Sequence, residues 1–310
     1  MAKLVVHPAR GLNGTTTLPG DKSISHRALI FGAMAQGTTI AHNWLNAGVT
    51  DSMVKAITAL GQDVEVEPTA PGRASLQVHG KGIGGFRQPS KPLFCGGSAT
   101  SLRLLMGLLA TQPFTATLDG HAGLRRRPME RIARPLRQMG AVIETTDGHA
   151  PLSVTGGGLK CITYEMPVAS AQLQTALLVA SLGAKGEMIL HQPGPARDHT
   201  IRLLRGQGAD IEVVDGVITF NPEGFVPQPL NFTVPGDMSS ASFLLVATLI
   251  TPDSCVTLQG VNTNYTRTGL LQTLQAMGGQ IAVHSEREHA GEPVADLQVQ
   301  SSVLSGITVG

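Results

Sequence analysis

The 310-residue sequence predicts an α/β fold made of a repeated βαβαββ unit, with buried helices inside and sheets outside. Three observations predict it. A turn of glycine or small residues carrying Ser or Thr opens an apolar run four times, at Pro19-Gly20-Asp21-Lys22-Ser23, Gly96-Gly97-Ser98-Ala99-Thr100, Pro167-Val168-Ala169-Ser170 and Pro235-Gly236-Asp237-Met238-Ser239. A second helical run then closes on Leu60-Gly61, Met139-Gly140, Gln207-Gly208 and Met277-Gly278. The closures lie 79, 68 and 70 residues apart, too far for a helical-hairpin solenoid and far enough for a small α/β unit.

Within a unit the first helix is apolar round most of its surface, with small residues interleaved. This holds for residues 23–35, 100–110, 170–182 and 239–250, and helices of that kind are expected to be buried against one another. The second helices, 50–60, 129–139, 200–207 and 266–277, mix charged and apolar positions and read as half exposed. Pro135 falls inside one of them and is expected to kink or split it. Between the helices lie β-branched runs such as 38–41, 115–118, 187–190 and 255–258, and further strands such as 63–66 and 141–144 follow the second helices. The linker-like stretches are 82–92 and 221–229.

Composition narrows the function. With 42% hydrophobic and 4% aromatic residues, the chain builds its cores on Leu, Val, Ile and Ala. Three cysteines, Cys95, Cys161 and Cys255, have neither metal-ligand nor CxxC spacing, which fits a reducing, cytoplasmic setting. No apolar run reaches the ~18 residues of a membrane span, so no membrane is expected as a partner. A net charge of +1 argues against nucleic acid, while the arginines clustered over 125–137 suit small anions.

The openings are where chemistry is expected. A turn into a helix leaves free backbone N–H groups and the positive end of the helix dipole, which suit phosphate or carboxylate. Any one such opening is ordinarily a capped helix start with no ligand. Four in one chain, the first carrying Lys22, Ser23 and Arg27, favour a shared anion cleft. Pro128 fits a first helical position, which puts Arg127 just before a helix and able to fork onto an anion. Arg131 and Arg134 read as a solvated face. Arg197-Asp198-His199-Thr200 reads either as a structural Arg197–Asp198 pair or as a ligand contact, with Thr200 as the cap. His26 and His199 are expected to make local hydrogen bonds and not to act as bases.

The runs LPGDKSISHRALIFGAMA, CGGSATSLRLLMGLLA, RRRPMERIARPLRQMGA, PVASAQLQTALLVASL, ARDHT and VPGDMSSASFLLVATLI together resemble the enolpyruvyl transferases, in the branch that acts on shikimate 3-phosphate. The resemblance implies an inside-out α/β barrel. It also implies a cytoplasmic transferase that joins phosphoenolpyruvate to the 5-hydroxyl of shikimate 3-phosphate and releases phosphate, on the route to chorismate and the aromatic amino acids. The implied mechanism is addition then elimination, with no cofactor and no metal. By the same resemblance Lys22 touches both substrates and is the catalytic candidate. Ser23, Arg27, Ser170, Gln172 and Arg197 would hold shikimate 3-phosphate, and Ala99, Thr100, Arg127 and Gln172, with Lys22, would face phosphoenolpyruvate.

Some positions depart from the family pattern. The loop that is usually Asn-(Ser/Ala)-Gly-Thr is here Gly97-Ser98-Ala99-Thr100, so Ala99 sets a methyl where the family has a glycine. That change resembles the glyphosate-tolerant branch and implies weak glyphosate inhibition. His121-Ala122-Gly123 replaces the more usual Asp-Ala-Ser. The family has six units, four of which are expected here: residues 20–234 as a complete three-unit domain, and 1–19 with 235–310 as about one unit of a second. This implies low turnover by the chain alone, a complementary C-terminal polypeptide as partner, and an exposed apolar face on the fourth unit. Two other functions remain as alternatives. One is a non-catalytic anion-binding or interaction remnant. The other is the sister transferase acting on UDP-N-acetylglucosamine, disfavoured because the loop 119–127 lacks that enzyme's cysteine.

Overall fold

The computed structural model describes Val5 and residues 10–309. Its helices are α1 Lys22–Met34, α2 Gly48–Ala59, α3 Ala99–Ala110, α4 Ala122–Arg125, α5 Glu130–Gln138, α6 Ala171–Ser181, α7 His199–Gly206, α8 Met238–Ile250 and α9 Gly269–Ala276. The four apolar helices α1, α3, α6 and α8 begin and end within one residue of the limits read from the sequence. The second helices are less regular. α9 starts at Gly269 and not near Thr266, because the Asn264 side chain accepts from both the backbone N–H and the hydroxyl of Thr266 and folds the preceding residues into a turn. Pro135 does not split α5, which runs unbroken from Glu130 to Gln138. The helix is held from its sides, where Arg137 bridges to Glu130 at 2.7 Å and to the Ile143 carbonyl at 2.8 Å.

The chain divides into two compact units, Lys22–Val234 and Met1–Asp21 with Pro235–Gly310. In the larger unit α1, α3 and α6 are buried along almost their whole length. Each of its three four-stranded sheets joins a parallel pair to an antiparallel pair. The second sheet runs Leu93–Phe94, Thr115–Asp119, His149–Thr155, Val142–Thr146, and the third runs Thr163–Glu165, Met188–His191, Val217–Phe220, Ile211–Val214. Burial alternates along His149–Thr155, so one sheet face meets the helices while the other is left wetter. Among the helices α3 and α6 approach so closely that a Cβ on Gly107 would lie 2.3 Å from the Ala176 carbonyl oxygen, which only glycine avoids.

The first and fourth sheets have exchanged their opening strands. Asn13–Thr17, which precedes α1 in sequence, lies parallel to Cys255–Asn262 of the smaller unit. Asn231–Thr233, which precedes α8, lies parallel to Gln36–Leu45 of the larger one. The two Pro-Gly-Asp segments that follow these strands bond reciprocally, Asp21 N–H to the Pro235 carbonyl at 2.8 Å and Asp237 N–H to the Pro19 carbonyl at 3.1 Å. Arg267 closes the pair: its Nη2 lies 3.0 Å from Asp21, 2.8 Å from Asp237 and 2.9 Å from the Ser239 hydroxyl. The loop that presents Arg267 rests on the buried Glu292 carboxylate, which accepts from the Asn262 and Asn264 amides at 3.0 and 3.2 Å.

In the smaller unit α8 is not buried all round, as its sequence leads one to expect. Met238, Ala241, Leu245 and Leu249 pack on the sheet, whereas Phe243 is 80% and Ile250 64% exposed. The sheet and α9 cover only one side of this helix.

Candidate active site

The candidate residues lie at the openings of α1, α3, α6 and α7 and on the turn between α4 and α5, all within the larger unit. At the α1 opening Lys22 is exposed and Ser23 half-buried. Arg27, one turn on, is 2% exposed and lies beneath the opening. Its guanidinium donates to the Ser23 carbonyl at 2.9 Å, to the Thr200 hydroxyl of α7 at 2.7 Å and to the Thr175 hydroxyl of α6 at 2.5 Å. Arg27 is thus a cationic strut under three helix starts, and its charge is delivered to their shared surface from below.

At the α3 opening Gly96 takes a left-handed backbone, φ 57°, that admits the turn. Ser98 caps the helix by accepting from the Ser101 N–H at 3.2 Å. Gly97 is exposed, with open space beyond its α-carbon, Ala99 is buried and Thr100 half-buried. The α6 opening repeats the design, with Ser170 accepting from the Leu173 N–H at 3.4 Å. Gln172 joins the two helices: its amide donates to the Thr100 hydroxyl at 2.9 Å and its oxygen accepts from Arg103 at 2.5 Å.

Arg103 has no counterpart among the residues picked from sequence. It is 5% exposed, its other hydrogen bond goes to the Pro128 carbonyl at 3.0 Å, and its Nε is buried without a partner. Both hydrogen-bond partners are neutral. Burial first, then the like charges of Arg131 and Arg127, pull the guanidinium down to about 10. This is a place short of negative charge, which an incoming anion would relieve. The signal was available in sequence as the single charged residue inside the apolar stretch SLRLLMGLLA.

The basic turn differs from expectation. Pro128 is not the first residue of a helix: α5 starts at Glu130 with Met129 as its N-cap, and Arg127 lies between α4 and α5. Arg127 is exposed, and its guanidinium makes no hydrogen bond or ion pair to the described residues. Arg125 instead grips Asp119 at 2.8 and 2.5 Å, and that pairing holds the Asp119 carboxyl below its ordinary range. Thr200 is not a cap either, since Asp198 occupies the N-cap of α7 and pairs with Arg202 at 2.8 Å, while Thr200 is buried against Arg27. Arg197 is exposed beside it. Among the described residues no group of three His, Cys, Asp or Glu side chains is arranged to hold a metal ion.

The larger unit therefore presents several helix N-termini, the exposed Lys22, Arg127 and Arg197, and the buried guanidinium groups of Arg27 and Arg103 on neighbouring elements. Such an arrangement is chemically suited to anions. The fold is that of the enolpyruvyl transferases: a solved member from Streptomyces tendae, NikO, superposes with a TM-score of 0.72 over 96% of this chain and 67% of its own, at 15% identity. Within that class the EPSP synthase (3-phosphoshikimate 1-carboxyvinyltransferase) family model matches residues 6–309, and the chain belongs to that family. The 3-phosphoshikimate 1-carboxyvinyltransferase of Parvibaculum lavamentivorans is 47% identical over 99% of this chain and 69% of its own length. That of Acidithiobacillus ferrooxidans is 44% identical over 100% and 70%. The EPSP synthase structure from Acinetobacter baumannii superposes with a TM-score of 0.90 at 41% identity, covering 98% of this chain and 68% of that one. These matches set aside the UDP-N-acetylglucosamine reading. No helix among the described residues is long and apolar enough to cross a membrane.

Proposed function

We propose that this chain carries shikimate 3-phosphate and phosphoenolpyruvate on its larger unit for enolpyruvyl transfer, in the cytoplasm. The observation that carries the reading is the pair of anchor sets that meet on α6, Arg27–Thr175–Thr200 and Arg103–Gln172–Thr100. The first set underlies Lys22, Ser23, Ser170 and Arg197, the proposed contacts of shikimate 3-phosphate. The second underlies Thr100 and Arg127, the proposed contacts of phosphoenolpyruvate, with Lys22 touching both ligands and Gln172 contributing to each set. In the reaction the 5-hydroxyl gives up its proton and its oxygen bonds to C2 of phosphoenolpyruvate while C3 gains a proton. The C2–O bond to phosphate then breaks and C3 loses a proton, which leaves the enol ether and free phosphate. Two multiply charged anions repel, so the cations serve chiefly to bring them together, and Lys22 is the one exposed enough to meet charge that moves between them.

The buried methyl of Ala99 at the start of α3 supports the proposal of weak glyphosate inhibition, with Ala99→Gly more sensitive. The chain spans 69% of the length of the Parvibaculum lavamentivorans relative, which leaves a remainder of that relative with no counterpart in the sequence given. The test is phosphate release from the two substrates, measured with the chain alone and with that remainder added. Phosphate release in either arm upholds the reading. A folded sample that is silent in both and binds neither substrate overturns it in favour of a non-catalytic remnant.

A further inference from the structure

We propose that His26 is a positioning residue that ties the α1 opening to the α3 opening and fixes the distance between the two ligand-facing turns. This deepens the proposed function and rests on it for the identity of the ligands. His26 is fully buried on α1. Its Nδ1 lies 2.8 Å from the Lys22 carbonyl oxygen. A carbonyl only accepts, so Nδ1 carries the proton. Nε2 is then the acceptor, and it faces the hydroxyls of Ser101 at 3.1 Å and Ser98 at 3.4 Å. Those hydroxyls are 2.8 Å from each other, and the Ser98 oxygen also takes the Ser101 N–H as the cap of α3. The Ser101 hydroxyl further reaches the Val49 carbonyl at 3.3 Å.

One imidazole therefore holds the backbone of Lys22 with one nitrogen and the cap of the Ser98–Thr100 turn with the other. No other residue type spans both contacts. Asparagine reaches the Nδ1 position and glutamine the Nε2 position, but neither reaches both. The ring stays neutral because burial drives its ionisation down to about 4, reinforced by the charges of Arg27 and Lys22 against the pull of the Lys22 and, more weakly, the Val49 carbonyl. A neutral ring with one tautomer gives the bridge a fixed polarity.

The test separates the bridge from the identity of the ligands. Long-range proton–nitrogen correlation at neutral pH should show Nδ1 protonated and Nε2 bare, and an Nε2–H tautomer or an imidazolium overturns the proposal. In His26→Asn, which retains the Lys22 contact, the amide signals of residues 97–100 should shift, and unmoved signals overturn it. Calorimetric titration with shikimate 3-phosphate in the presence of phosphoenolpyruvate should show at least about tenfold weaker binding for both His26→Asn and His26→Gln. Wild-type affinity in either variant means a local role only. If the His26 variants do not fold, Ser101→Ala supplies the same readout from the far end, and unchanged binding there is equally fatal. A wild-type protein that binds neither substrate removes the proposed function, while the tautomer and the amide signals still decide the bridge.

Discussion

Helices α6 and α8 are written in nearly the same language and live in different surroundings. Both are apolar on all sides and both open on a capping side chain, Ser170 for α6 and Asp237 for α8. Yet α6 buries nine of its eleven residues, while α8 buries five of thirteen and holds Phe243 out at 80% exposure. The difference lies in their neighbours. α6 has α3, α5 and α7 around it, whereas α8 rests on its own sheet. Apolarity in a sequence records what a helix is suited to touch, and the contacts themselves depend on which elements the rest of the described chain brings to it.

Substitutions can sharpen or break that contrast. The largest effect is expected at the base of α8, where Arg267→Met would remove the guanidinium shared by the buried Asp21 and the partly buried Asp237 carboxylates, at a cost of roughly 3–5 kcal/mol. A denaturant titration that follows the smaller unit would show it, and a loss below about 1 kcal/mol would mean that the carboxylates find other partners. In α6 Leu177→Ala removes a fully buried side chain, and about 2–5 kcal/mol of stability should go with it. Gly107→Ala tests the close approach of α3 to the same helix. It should cost about 3 kcal/mol or prevent folding, because the new methyl meets backbone at Ala176 and not a movable side chain.

Acid should weaken the larger unit more gently. His26 titrates at about 4 in the folded protein against 6.5 when free, so the unfolded chain binds the extra proton between those values. Stability from this group is complete above pH 6.5 and is lost as pH falls towards 4, by about 3 kcal/mol in all. Glu130 and Asp119, held down mainly by Arg137 and Arg125, lose their contributions only at lower pH. Melting temperatures between pH 7 and 5 should therefore fall for the wild type and fall less for His26→Gln. The smallest change is expected on α8 itself. Phe243→Ser should alter stability by no more than about 0.5 kcal/mol, with any effect confined to solubility. A substantial loss there would mean that the face is covered in solution.

The helices were legible because their information is local. Caps such as Ser98 and Ser170 precede apolar runs of the right period, and the Gly-terminated second helices mark each repeat. Partners were not legible where they depend on distant chain. The local residues of the short polar strand Asn13–Thr17 do not say that it pairs with Cys255–Asn262 and not with the sheet that follows it; only the family resemblance, which grouped 1–19 with 235–310, pointed there. The roles of Arg27 and Thr200 were half legible: their types were right for anion binding, but the 2.7 Å bond between them joins residues 173 apart. Pro128 misled because proline is favoured at a first helical position, and here Met129 caps instead. Arg103 shows how much a lone charge in an apolar helix can reveal: it is buried and joins Gln172 of α6 to the Pro128 carbonyl.

The exchanged strands also set an order of events during synthesis. The Asn43 side chain, within the strand Gln36–Leu45, donates to the Val234 carbonyl, and these two residues are separated by 191 positions. A ribosome adding about 5–20 residues per second needs roughly 10–40 s to cover that distance. For that interval the sheet led by Gln36–Leu45 waits on the tunnel with an unpaired edge, so the first sheet to be translated is among the last to be completed.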